Sequence, residues 1–355
     1  MAQSIKKSPK GVLEKMRESE IAISVIMSVY NENPRYLDIA VQSILNQAFH
    51  DFEFIMINDG SDAKVKEQLE SYTDERIVLI HNADNYGLTK SLNIGLDAAK
   101  GKYIARMDSD DYSCPDRLKL QYQYMEDHHE IDILGAWVKA EGKVQKSGGC
   151  VPTEWRYTRM LFDNVGIYHP TAFIRKSFLD KNHLRYDERM KKAQDYALWT
   201  QCLSLGKMYV FPKVLLDYRV HDMQISKKNL TEQNYYNLLI RENLLEKLAL
   251  DLSVQELGQF RNINQVQLSA AQIDAFFLKI LNANKAKKIF HEKMLAYELN
   301  TKWIRYILQT HGREKIDFLR GRFLGRVFNL KYYIYMLSIC LYKQDLLHHS
   351  KETLR

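Results

Sequence analysis

Residues 23–58 read ISVIMSVYNENPRYLDIAVQSILNQAFHDFEFIMIN, and the change of rhythm inside this stretch decides the fold. The run ISVIMSV (23–29) is continuously apolar and rich in β-branched residues, as expected of a strand buried on both faces. PRYLDIAVQSILNQ (34–47) then places Leu37, Ala40, Val41, Ile44 and Leu45 at helical spacing, behind a proline suited to a first helical turn. EFIMIN (53–58) is strand again. The alternation continues: DAKVKEQLESY predicts a helix, RIVLIHN a strand, GLTKSLNIGLDAAKG a helix closed by glycine, KYIARM a strand and PDRLKLQYQYMEDHH a helix. Strands alternating with helices of this length predict an open, mostly parallel α/β sheet flanked by helices.

In such sheets ligands bind beyond the carboxyl ends of the strands. Three polar clusters fall there: SVYNEN after the first strand, NDGSD after the second and DSDD after the fourth. The last is the most informative, because YIARMDSDDY (103–112) runs an apolar strand straight into Asp108, Asp110 and Asp111. Carboxylates a few ångströms apart repel by about 1–3 kcal/mol per pair. Water, a cation or another positive partner must relieve them.

A calcium loop begun at Asp108 fails. Tyr112, Ser113 and Lys119 occupy the positions where an oxygen ligand, Gly and Glu are required. Three explanations remain. One is an aspartyl phosphatase with Asp108 as nucleophile. Another is a metal–diphosphate site, in which Mg²⁺ or Mn²⁺ joins carboxylates to phosphate oxygens and the cluster needs no nearby basic side chain. The third is a solvated loop with Asp111 as cap of the next helix, the chain then being a non-catalytic nucleotide- or membrane-binding module.

At 355 residues, 46% hydrophobic and 27% charged, the chain is long and apolar enough for a full core in one or two domains, which argues against disorder. Cys114, Cys150, Cys202 and Cys340 form no C-x-x-C pair, so neither a zinc knuckle nor a disulfide framework is indicated, and a cytoplasmic location is expected. The N-terminal stretch lacks the apolar core of a signal peptide, and no window is apolar for long enough to predict a spanning helix. Charge is unevenly placed: residues 226–355 carry 21 Lys and Arg against 12 Asp and Glu. There helical periodicity dominates and proline is absent. RGRFLGRVFNLKYYIYMLSICLYK (320–343) mixes arginines with aromatic and aliphatic residues, which suits either an anionic membrane surface or a packed terminal helix. No nucleic-acid motif accompanies the charge.

Residues 23–63 and the segment NYGLTKSLNIGLDAAKGKYIARMDSDD (85–111), followed by HPTAFIRK, QDYALW and LLDYRVHDMQIS, together resemble family 2 glycosyltransferases with the GT-A fold. The resemblance spans about residues 22–226 and is strongest to bacterial enzymes that build capsule or lipopolysaccharide chains. It implies an N-terminal extension (1–21), a GT-A catalytic domain (22–225) and a helical C-terminal region (226–355) with a basic amphipathic tail. The implied reaction is inverting transfer of a hexose or N-acetylhexosamine from a UDP-sugar to a saccharide acceptor linked to an isoprenoid diphosphate. It uses Mn²⁺ or Mg²⁺, without nucleic acid, at the inner face of the cytoplasmic membrane.

The resemblance also assigns residues. Asp59 matches the position that accepts from the N3–H of uracil, with Ser28, Tyr30 and Glu32 of the first turn around the nucleotide. This chain has Asn58-Asp59-Gly60 where most members have Asp-Asp-Gly. Asp108 faces the ribose and Asp110 ligates the metal. Asp195 of AQDYALW matches the catalytic base, with Gln194 in place of the usual preceding acid. Lys90 is either a partner of the diphosphate or a surface lysine. His221 either completes the metal shell or is structural, and His169 falls where the family lines the acceptor pocket. Trp155 and Trp199 either stack a sugar or pack.

Overall fold

The computed structural model describes residues 21–146, 151–221, 230–253, 256–257, 260 and 270–309. The N-terminal extension and the basic stretch 320–343 fall outside the described residues. So does the whole of the DMQIS segment that follows His221.

The strands are β1 (Ile23–Val29), β2 (Phe52–Asn58), β3 (Ile77–His81), β4 (Tyr103–Met107), β5 (Tyr112–Ser113), β6 (Ile133–Ala140), β7 (Lys143–Gln145), β8 (Phe173–Arg175) and β9 (Met208–Tyr218). The helices are α1 (Pro34–Leu45), α2 (Ala63–Glu70), α3 (Leu88–Ala98), α4 (Arg117–Asp127), α5 (Thr153–Met160), α6 (Lys176–Lys181), α7 (Gln194–Leu205), α8 (Leu230–Glu246), α9 (Ala270–Lys287) and α10 (Glu292–Gln309). The described residues divide into two compact units. One holds 21–146, 167–198 and 205–221; the other holds 151–166, 199–204 and the described residues from 230 onward.

The first unit is built on one sheet in the order β3-β2-β1-β4-β8-β6-β9-β5, with β7 beside β6. Strands β3, β2, β1 and β4 are mutually parallel, and β8 joins β4 antiparallel. β1 is buried except at Ser28, which is why its sequence reads as an unbroken apolar run. α1 starts as its sequence directs: Asn33 Oδ1 accepts from the Arg35 amide, Pro34 opens the helix, and Leu37, Ala40, Val41 and Ile44 face the core. Asp62 caps α2 by accepting from the Val65 amide.

Polar residues inside the strands have partners at the far edge of the sheet from the strand-end loops. The buried Glu53 accepts from Ser24 Oγ at 2.6 Å and from the Lys100 amide at 2.7 Å, and Ser24 Oγ accepts from the Gly101 amide. Because four strands run parallel, the loops after β1, β2, β3 and β4 all emerge at the opposite edge. β5 pairs antiparallel with β9, Tyr112 opposite Asp217, which carries residues 218–221 to the loop after β4.

The second unit is helical. α9 and α10 pack together, joined through Asn284, whose side chain donates to the Phe290 carbonyl and accepts from its amide. α5 packs on α10, with Arg159 paired to Glu298 at 2.9 Å. Trp155 and Trp199 are buried, so both serve packing.

The closest backbone approach in the first unit lies at Gly101, where a Cβ would sit 2.4 Å from the Ser24 nitrogen and 2.6 Å from the Ile23 carbonyl carbon. Backbone cannot rotate out of the way, so Gly101→Ala is expected to destabilise the protein by about 1–3 kcal/mol, read as a lower urea midpoint.

Candidate functional site

The loop after β2 is the hub of the strand-end edge. Asp59 is 2% exposed, and its carboxylate accepts three hydrogen bonds. Asn82 Nδ2 and the Tyr86 amide donate to Oδ1, each at 2.8 Å, and the Gly87 amide donates to Oδ2 at 2.9 Å. The loop after β3 is thereby wrapped onto the loop after β2. Gly60, at φ +71°, permits this: a Cβ there would lie 2.6 Å from the Asn85 nitrogen. The loop after β1 joins the same hub, since the Asn31 amide donates to Ser61 Oγ and the Asp62 amide to Asn31 Oδ1. Asn58 is turned toward His81, its Nδ2 3.0 Å from the ring nitrogen.

The second centre is the acidic loop. Asp108, Asp110 and Asp111 bring one carboxylate oxygen each within 4.8 Å of one another. Asp111 is buried and its pKa is pushed up by burial first, then by Asp108 and Asp110. Asp110 is raised by burial and by Asp108, against which His221 pulls it down. The Tyr218 hydroxyl is likewise raised by burial and by these acids.

The expectation that this cluster needs no basic side chain is corrected. Arg106, 5% exposed on β4, forms an ion pair with Asp108. Burial draws its pKa down, but the adjacent Asp108 more than offsets this. Arg117, also buried, donates through Nη2 to the Arg106 carbonyl at 2.7 Å and through Nε to Gln121 at 3.0 Å. Arg219, at the end of β9, donates from its amide to Asp111 Oδ1 at 2.9 Å and from Nε to the Asp110 carbonyl at 2.7 Å. Its guanidinium carbon stands 4.2 Å from the centre of the Tyr36 ring.

The structure brings several expected residues to this centre. His221 Nε2 lies 2.8 Å from Asp110 Oδ2, and Glu32 Oε2 accepts from Ser109 Oγ at 3.1 Å. Ser28, next to last in β1, is half-buried, and Tyr30 just beyond the strand is exposed. Lys90 is exposed in the first turn of α3, with its ammonium 4.2 Å from the centre of the Tyr86 ring. His169 is 9% exposed and turned inward, its Nε2 2.7 Å from the Tyr186 hydroxyl. Burial and then Arg106 hold its pKa well below the ordinary histidine value, so the ring is neutral. Asp195 stands in the first turn of α7, half-buried.

Arg106, Arg219 and Tyr86 are the residues that sequence reasoning passed over. An arginine inside the apolar strand KYIARM was the available signal for the first.

The acidic loop fits a divalent cation. Asp111 Oδ2 is buried without a hydrogen-bond partner among the described residues, and carboxylate oxygens with one imidazole form a donor set suited to Mn²⁺ or Mg²⁺.

Residues 24–184 match the family described as Glycosyl transferase family 2. An uncharacterised glycosyltransferase of Haemophilus influenzae is 31% identical over 306 residues, covering 81% of this chain and 88% of the relative. The O-antigen biosynthesis glycosyltransferase WbnJ of Escherichia coli is 31% identical over 235 residues, 63% of this chain and 90% of the relative. Among solved structures, residues 1–349 of S. aureus TarS in complex with UDP-GlcNAc match with a TM-score of 0.57 at 20% identity, covering 84% of this chain and 89% of that one. This chain spans 53% of a longer TarS structure. The likeness in structure bears on the fold, which is the GT-A type.

Two substitutions read out the charge balance of the acidic loop. Arg106→Met is expected to lower stability by about 1–3 kcal/mol, because the half-buried Asp108 loses its buried guanidinium partner. Asp111→Asn retains an acceptor for the Arg219 amide and removes a buried carboxylate, so urea unfolding at pH 8 without divalent metal is expected to show a gain of about 1–2 kcal/mol.

Proposed function

The chain belongs to glycosyltransferase family 2, and we propose that it is an inverting enzyme transferring a hexose or N-acetylhexosamine from a UDP-sugar to a saccharide acceptor. The acceptor is carried on an isoprenoid diphosphate during synthesis of a bacterial surface polysaccharide. The observation that carries the proposal is the convergence of Asp108, Asp110, Asp111 and His221, beside the Asp59 hub, at the edge where GT-A sheets receive a nucleotide. The names of relatives in O-antigen and amylovoran biosynthesis support the pathway class. The UDP-GlcNAc in the TarS complex supports the donor class. Family membership removes the basis for a phosphatase acting through Asp108.

In this proposal the loops after β1 and β2 hold the base. Asp59 accepts from N3–H of uracil, Ser28, Tyr30 and Glu32 border the nucleoside, and Asp108 faces the ribose. Asp110 and His221 hold Mn²⁺ or Mg²⁺, which supplies charge neutralisation for the departing diphosphate. Lys90 adds a positive charge on the phosphate side. Asp195 takes the proton from the acceptor hydroxyl as its oxygen bonds to C1 of the sugar. The C1–O bond breaks on the opposite side, and its electron pair leaves with UDP. His169, neutral and bonded to Tyr186, supports the acceptor side from beneath.

Residues 22–225 do the chemistry, and the helical region 226–355 brings the enzyme to an anionic membrane surface through its basic tail. The net charge of +9 over that region supports peripheral attachment at the inner face. Among the described residues no helix is long and apolar enough to cross a membrane.

Thermal-shift measurements with UDP and Mn²⁺ are expected to show stabilisation by UDP that requires the metal and disappears with EDTA or in Asp110→Asn. Asp195→Asn is expected to lower turnover on a UDP-sugar panel by about 10²–10⁴-fold while UDP still binds. Unchanged turnover would remove Asp195 as the base.

A further inference from the structure

The loop after β3 ends in an aromatic side chain that the core does not use. Tyr86 is 41% exposed, yet its backbone is among the most firmly held at this edge. Its amide donates to Asp59 Oδ1, and the next amide, that of Gly87, donates to Asp59 Oδ2 and to Asn85 Oδ1. Asn82 ties the start of the same loop to both Asp59 and Ser91. An exposed aromatic on a backbone fixed in advance loses little freedom when a flat ligand settles on it.

The surroundings of the ring indicate which ligand. A carboxylate has about four lone-pair positions. The Asp59 carboxylate fills three of them with Asn82, Tyr86 and Gly87, which leaves one acceptor position on Oδ2. One N–H donor from a planar heterocycle satisfies that position, and such a ring meeting Asp59 edge-on lies beside Tyr86. The Lys90 ammonium stands over one face of the Tyr86 ring, so a second ring must approach the other face. A cation on one face withdraws electron density from a tyrosine, which favours stacking of a base on the face that remains.

We propose that Tyr86 is the stacking platform for the donor's base, a binding residue distinct from the assigned nucleotide contacts. The proposal rests on the reading of the site as a nucleotide–diphosphate site. Asp59 reads the base edge and Tyr86 grips its face.

The test is calorimetric titration of the full chain with UDP and with inorganic pyrophosphate, both with Mn²⁺, for wild type, Tyr86→Ala and Tyr86→Phe. Tyr86→Ala is expected to weaken UDP about tenfold while pyrophosphate is not weakened, and Tyr86→Phe is expected to match wild type for both. Unchanged UDP affinity in Tyr86→Ala overturns the platform while leaving the nucleotide site standing. Equal losses for UDP and pyrophosphate overturn it in favour of loop scaffolding. Wild-type protein that binds pyrophosphate but not UDP overturns the nucleotide reading itself and the platform with it.

Discussion

The ion pair between Arg106 and Asp108 is the constraint around which the site is arranged. Three carboxylates at one strand end are a standing electrostatic cost, and the protein offsets part of it from below. Arg106 meets Asp108, Arg117 braces the Arg106 carbonyl, and Arg219 approaches from β9 to bond the Asp110 carbonyl and the Asp111 carboxylate. The compensation is incomplete: Asp110 and Asp111 both remain raised in pKa, by burial first and then by the neighbouring carboxylates. A loop left with this residual repulsion is prepared for a cation. The fold tolerates the strain because two guanidinium groups are buried where water cannot screen them.

The hub at Asp59 solves a different problem. Loops after parallel strands have no ladder partners of their own, and each must be fixed by other contacts. One carboxylate gathers three donors from the loop after β3, while Ser61 and Asn31 fasten the loop after β1. The outcome is a floor made of backbone and short polar side chains, with Tyr30 and Tyr86 standing free of it. The edge thus combines a rigid backbone below with exposed aromatic surface above.

Much of this was legible in the sequence for physical reasons. Buried parallel strands demand unbroken apolar runs, so ISVIMSV and FIMIN declare themselves, and Asn33-Pro34 announces a helix start. Acids placed after a strand can serve only the edge where that strand ends, so DSDD points to the edge beyond β4. What was not legible depended on pairing across the fold. An arginine within KYIARM stands out in the sequence, but only the tertiary structure shows it buried against Asp108. His169 carries no mark in HPTAF that it turns inward to Tyr186. The aromatic character of Trp155 and Trp199 suited sugar stacking equally well until burial assigned them to packing.

The contact between Asp110 and His221 joins residues separated by 111 positions. A polypeptide leaves the ribosome amino end first, so the acidic loop emerges well before the segment that ends β9. Until that segment docks, the loop lacks both its histidine and the Arg219 amide that steadies Asp111. The cluster of Asp110, Asp111, Arg219 and His221 is therefore a late product of folding, completed only when β9 joins the sheet.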